Sequence, residues 1–141
     1  MEIARAAGDD APVAAPSMDA REPLLREYLT ALGSGELARL AEILAPEYRD
    51  FNPLPGQFPG RNGVILKAMA FRADHPDAHI DIESIEVTPA GARATWTTTA
   101  RNLNGAEGVA TWRFTGVFEI DPAKAQIVSS DVIEMALAKA P

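Results

Sequence analysis

The sequence predicts an α+β domain. In it a strongly curved antiparallel sheet wraps as a cone around three N-terminal helices and encloses a pocket. Three observations carry this prediction. Apolar residues recur at helical spacing in three segments of the first half. The second half changes to period-two alternation, rich in threonine and β-branched residues. Short turn signals join the strand patterns, so four successive strands are hairpin-linked. Of 141 residues, 47% are apolar, enough for one core and too few for two. Aromatics make up only 6%, so alanine and aliphatic side chains carry much of the packing.

Residues 1–18 are alanine-rich, with Pro12 and Pro16, and read as a flexible arm. The cone domain is expected over 19–136, with a tail at 137–141. Asp19 or Ser17 can cap a first helix, with Pro23 in its first turn. Leu24, Leu25, Tyr28, Leu29 and Leu32 form its apolar stripe, and Gly33 and Gly35 break it. Ser34 offers an oxygen before Glu36, where a second helix begins with Leu37, Leu40, Ile43 and Leu44; Pro46 is expected to end it. From Tyr48 to Gly60 a brief strand leads into three prolines and two glycines among apolar residues. Proline fixes its own backbone and restricts the residue before it, so this is a rigid, shaped loop. It suits a pocket rim, and a plain connector equally.

Asn62 can cap a third helix running to about Asp74. Val64, Ile65, Ala68, Met69 and Arg72 share a face, with Leu66 and Phe71 alongside. A helix apolar on so much of its circumference calls for cover by a sheet, or by a sheet and a partner chain. Strands follow at His79 to Thr88, Ala92 to Arg101, Gly108 to Ile120 and Ala125 to Glu134. Pro89-Ala90-Gly91, Asn102-Leu103-Asn104-Gly105 and Asp121-Pro122-Ala123-Lys124 turn the chain between them.

Phase on each strand indicates what faces the pocket. Trp112, Phe114, Gly116, Phe118 and Ile120 form an apolar set that must look inward, which sends Arg113 outward. Trp96 falls with Ala92, Ala94, Thr98 and Ala100, where small neighbours leave room around one large ring. On the last strand, Ile127, Ser129, Asp131 and Ile133 share the phase with both isoleucines, which places Asp131 inside. A carboxylate there needs partners or an elevated pKa, the condition of a general acid or base. Two alternatives stand beside that role. Asp131 can accept hydrogen bonds without doing chemistry, or a bulge can shift the phase and expose it.

Composition excludes several classes. Twenty acidic residues against 13 Lys and Arg give a net charge of −7, which disfavours nucleic acid and anionic membranes. The absence of cysteine removes thiol chemistry and thiolate metal sites. His75 and His79 are separated by Pro76, so they do not make a zinc pair on one helical turn, and no metal site is expected. No run approaches 18 apolar residues, and Glu2, Asp9 and Asp10 interrupt the start, so a cytoplasmic domain is expected.

Tyr48-Arg49-Asp50-Phe51-Asn52-Pro53-Leu54-Pro55-Gly56-Gln57, then Pro59-Gly60-Arg61 and Gly63, resembles the SnoaL-like polyketide and ester cyclases of the nuclear transport factor 2-like superfamily. That superfamily also holds ketosteroid isomerases and limonene epoxide hydrolases. The likeness continues through Phe71-Arg72-Ala73-Asp74-His75-Pro76-Asp77 and resumes at Ile127-Val128 and Asp131-Val132-Ile133-Glu134. The resemblance implies the cone fold and intramolecular aldol condensation without metal or organic cofactor. Asp131 resembles the last-strand aspartate that acts there as general acid/base. Asn52 resembles the asparagine that helps hold substrate, and Tyr28 resembles the oxyanion tyrosine of the isomerases. The isomerase pattern is broken at Asn52, where the base would stand, and near Gly116, where an acidic donor would. Many cyclases carry histidine in place of Phe51, and tryptophan or histidine in place of Ser129 and Ser130. The Arg-x-Asp pair of the epoxide hydrolases meets only threonines at Thr97 to Thr99.

The expected function is therefore a cofactor-independent cyclase or isomerase on an apolar, polyketide-like carbonyl substrate, with Asp131, Asn52 and Tyr28 as catalytic residues. Leu54, Gln57, Met69, Trp96, Thr98, Phe114 and Phe118 are expected to surround the carbon skeleton. Two alternatives remain open: a non-catalytic ligand-binding or dimerising helper domain, and an epoxide hydrolase or hydroxylation accessory protein. A homodimer through the outer sheet face is expected, with Thr95, Thr97, Thr99 and Arg113 on that face.

Overall fold

The computed structural model describes residues 20–101 and 109–135. The arm, the Ser17 or Asp19 cap, the Asn102 to Gly105 turn and the tail lie outside the described residues.

Helix α1 (Arg21–Ser34) buries Leu25 and Leu29 completely. It ends where Gly35 adopts φ 79°, a left-handed conformation that glycine takes without steric cost, and the Gly35 N–H returns to the Ala31 carbonyl at 3.0 Å. Helix α2 (Leu37–Ile43) buries Leu40 and Ile43. It stops three residues before Pro46, earlier than expected, and strand β1 (Leu44–Asp50) starts at once. Pro46 lies inside β1, which is tolerated because β1 is an edge strand. Helix α3 (Arg61–Asp74) has Gly60, not Asn62, at its N-cap; Asn62 is the helix's second residue.

Strands β2 (His79–Val87), β3 (Gly91–Arg101), β4 (Val109–Asp121) and β5 (Gln126–Met135) form the expected antiparallel meander. Strand β1 adds a fifth member, parallel to β5, so the sheet is mixed, in the order β1-β5-β4-β3-β2. The three helices lie against one face of this sheet, as an α+β cone. Ala92, Ala94, Trp96, Thr98 and Ala100 are buried on the inner face of β3, as their phase predicts. Phe118 is buried beneath them and meets Tyr28 edge-on at 5.8 Å between ring centroids. Arg113 stands on the outer face, where its Nη2 donates to Glu83 Oε1 at 2.7 Å.

The last strand departs from the expected phase. Glu119 pairs with Ser129, but the next residue, Ile120, pairs with Ile127. Val128 is therefore an extra residue, a β-bulge opposite the Glu119–Ile120 step. Because side chains alternate every residue, one insertion moves everything beyond it to the other face. Ile127 points inward as expected, but past the bulge Ser130, Val132 and Glu134 take over the inner face. Asp131 is exposed, opposite the half-exposed Val117. The expectation of an inward Asp131 is thus corrected. Among the described residues no helix is long and apolar enough to cross a membrane.

Candidate functional site

A cavity of about 490 Å³ lies between α1, α3, the end of β1 and the inner face of the sheet. Its walls are apolar, with Leu32, Val64, Phe71, Trp96, Trp112 and Phe114 contributing. Leu54 and Glu134, both exposed, stand at its rim. The concentrated polar groups are Tyr28, Tyr48, Asp50, Asn52 and Ser130.

Asp50 is the last residue of β1, and only 9% of its side chain is exposed. Its Oδ1 accepts the Asn52 N–H at 2.9 Å, the two-residue return that aspartate favours at a turn. Its Oδ2 accepts Gln57 Nε2 at 2.9 Å, and Lys67 Nζ from α3 approaches the same oxygen at 3.7 Å. Gln57 is itself held, because its Oε1 accepts the Leu54 N–H at 3.0 Å. The proline-rich loop therefore closes on itself through Gln57 and fixes the carboxylate that precedes it. Asn52 joins the same loop to β5, its Nδ2 donating to the Val132 carbonyl at 2.7 Å. The carboxylate is thus oriented by a backbone donor and an amide donor, with an ammonium nearby, inside an otherwise apolar wall.

Two tyrosines complete the polar end. Tyr48 shares a face of β1 with Asp50, and its hydroxyl bonds the hydroxyl of Ser130, the first inward residue past the bulge. Burial pushes the Tyr48 hydroxyl up to about 12, the Ser130 bond opposes that, and the Asp50 charge adds to it. Tyr28 comes from α1 and is 6% exposed; its hydroxyl has no hydrogen-bond partner among the described residues. Burial raises its pKa far above the ordinary value, and the neighbouring Tyr48 and Asp50 raise it further. Both groups are neutral donors at physiological pH.

Of the residues expected from the sequence, the cavity brings together Tyr28, Asn52, Leu54, Trp96, Thr98 and Phe114. Four expectations are corrected. Asp131 is on the outer face, for the reason given above. Gln57 is not on the wall, since both ends of its amide serve the loop and Asp50. Met69 points to solvent at 47% exposure, because α3 turns Val64, Ala68 and Phe71 inward instead. Phe118 packs below the wall, against Tyr28 and Trp96. The residues that sequence reasoning missed are Tyr48, Asp50, Ser130 and Glu134. The first two were readable, since period two in a strand ending at Asp50 puts both on one face. The last two depend on the bulge.

Of the two histidines, only His79 reaches the cavity lining. His75 packs its ring against Phe71 and Trp112, with centroids at 4.8 and 5.4 Å. His79 is exposed beside Asp81, at 3.4 Å.

Comparison with known proteins adds a family and a fold. Residues 25–129 match the family model described as the SnoaL-like domain. No curated protein matches the sequence. A provisionally assigned polyketide cyclase from Bacillus cereus superposes with a TM-score of 0.71 at 16% identity, covering 79% of this chain and 71% of that one. TsrD from Streptomyces laurentii gives 0.69 at 19% identity, covering 82% and 88%. AclR from Streptomyces galilaeus, provisionally assigned as a hydroxylase, gives 0.70 at 13% identity, covering 84% and 90%. At these identities the likeness is one of fold.

Proposed function

The chain belongs to the SnoaL-like domain family, and from that premise we propose that it is a cofactor-independent cyclase or isomerase acting on an apolar, polyketide-like carbonyl compound. In this reading Asp50 is the general base and Tyr28 the donor to the developing oxyanion. The observation that carries it is a buried, oriented carboxylate in the same apolar cavity as the hydroxyl of a buried tyrosine that no described residue occupies.

The chemistry follows from those two groups. Asp50 takes a proton from the carbon beside a carbonyl, and the electron pair moves to the carbonyl oxygen. Tyr28 donates a hydrogen bond to that oxygen, which matters most where water is excluded. The enolate carbon then attacks a second carbonyl of the same molecule, forming a carbon–carbon bond, or is reprotonated at another position. In either case Asp50 returns the proton it took. Confinement by the aromatic wall favours ring closure by limiting the conformations of the substrate. Asn52, fastened to β5, is a positioning residue for the loop behind Asp50.

The test uses β-tetralone, a bicyclic ketone with acidic protons beside its carbonyl, in deuterated buffer. The protein is expected to accelerate deuterium uptake at that carbon, followed by proton NMR, and Tyr28→Phe to slow it by about a hundredfold, the scale of one lost oxyanion donor. No acceleration over buffer at saturating ketone would overturn the reading.

We also propose that the outer sheet face joins two copies of the chain. Thr95, Thr97, Thr99 and Arg113 lie on it, and Val117 and Ile133 are each about half exposed there. Sedimentation velocity is expected to give a dimer that Val117→Lys shifts toward monomer; a monomer at all concentrations rejects it.

A further inference from the structure

We propose that the cavity takes a ligand carrying a protonated amine, held between the Glu134 carboxylate and the ring of Phe114, which Trp96 backs by stacking. The inference rests on the reading of the cavity as a small-molecule site and specifies what that site selects.

The sheet register builds the arrangement. Trp96 pairs with Phe114, and Phe114 pairs with Glu134, so the three stand side by side on the inner face of adjacent strands. Adjacent strands run about 5 Å apart. The two rings stack, with centroids 5.7 Å apart and planes at 29°. Glu134 reaches this row only because the Val128 bulge turns the end of β5 inward. Among the described residues Glu134 has no hydrogen bond and no ion pair, and it stands at the rim of an apolar cavity.

A cation between a carboxylate and the face of a phenyl ring is attracted by both. A neutral ligand gains only the apolar wall, and an anion is repelled at the rim. The other charged or titratable groups lining the cavity have partners: Asp50 accepts from the Asn52 N–H and Gln57, and His79 faces Asp81 at 3.4 Å. Lys67 is drawn to Asp50 at 3.7 Å. Arg72 directs its Nη1 at the Gly33 and Ala78 carbonyls, at 2.6 and 3.3 Å. The net charge of −7 adds a general attraction for cations.

Trp96 and Trp112 are the chain's two tryptophans and both lie on the cavity wall, so intrinsic fluorescence reports occupancy. Three probes share one skeleton at neutral pH: protonated β-aminotetralin, neutral β-tetralol and anionic tetralin-β-carboxylate. The amine is expected to bind about tenfold more tightly than the alcohol, and the carboxylate more weakly than either. Glu134→Gln is expected to abolish the advantage of the amine, and Asp131→Asn, on the opposite face, to preserve it. An alcohol that binds as tightly as the amine, or an advantage that survives Glu134→Gln, overturns the inference and leaves the cavity reading intact. If none of the three quenches the fluorescence, the inference and the cavity reading fall together.

Discussion

Asp50→Asn is expected to leave a folded protein that exchanges the protons of β-tetralone about a hundredfold to ten-thousandfold more slowly, the range that a positioned general base contributes. Asparagine has the size of aspartate, so the wall keeps its shape. The contact with the Asn52 N–H survives because one side-chain oxygen remains to accept it. The Lys67 attraction is lost, but that ammonium is 40% exposed and can turn to water; the Gln57 bond is lost as well, because the new amide NH2 faces Gln57 Nε2, so the stability cost is about 1–2 kcal/mol. Circular dichroism should therefore change little and the thermal transition fall by only several degrees, while turnover falls far more. Asp131→Asn supplies the decisive contrast. Its side chain faces away from the cavity, so exchange at the parent rate is expected. A protein that tolerates Asp50→Asn and is disabled by Asp131→Asn would reject Asp50 as the base.

That contrast turns on a single residue, and it shows which parts of the molecule were legible in the sequence. The phase of β4 was readable because five apolar residues recur without interruption from Trp112 to Ile120, and only one face can hide them. The phase of β3 was readable from small residues around Trp96. On β5 the rule failed. Counted along the strand, Ile127 and Ile133 share a face because they are six positions apart, yet Val128 uses up one position without a partner across the ladder. A bulge is a feature of pairing, set by both strands and by the parallel contact with β1, and period counting along one strand does not register it. Residues Val132 and Ile133 are both apolar, so composition offered no objection to either phase. The helix ends were less legible for a related reason. Pro46 is a helix breaker only if a helix reaches it, and pairing of β1 with β5 ends α2 first. The family resemblance through the proline-rich loop ran past Asp50 to Asn52. The loop contacts that mark Asp50 come from Gln57, seven residues away, and from Lys67 on another element.

The loop that carries those contacts is held by a close approach, and the second large effect is expected there. A Cβ on Gly63 would lie 1.9 Å from the Phe58 carbonyl oxygen and 2.9 Å from its carbon. Both are backbone atoms of the proline-rich loop, so no side chain can swing aside. In Gly63→Ala either the first turn of α3 or the loop must move by about an ångström or more, and the loop is the softer of the two, since α3 is anchored by buried Val64. The expected cost is on the order of 2–3 kcal/mol. The displaced loop also draws Gln57 from Asp50, so ketone exchange should drop even at temperatures where the variant is folded. Gly91→Ala separates the two consequences. Its Cβ would lie 2.0 Å from the Phe118 carbonyl oxygen, at the first pair of the β3–β4 ladder and away from the loop. A similar loss of stability is expected, with exchange per folded molecule close to the parent. Gly56→Ala is the control on the loop itself. Nothing lies within 4 Å of its Cβ, so the cost is limited to about 1 kcal/mol for holding alanine at φ +79°. Thermal melts and exchange rates of the three variants check this ordering. A Gly63→Ala protein with parental stability and parental exchange would mean that the loop neither packs on α3 as closely as described nor supports the carboxylate.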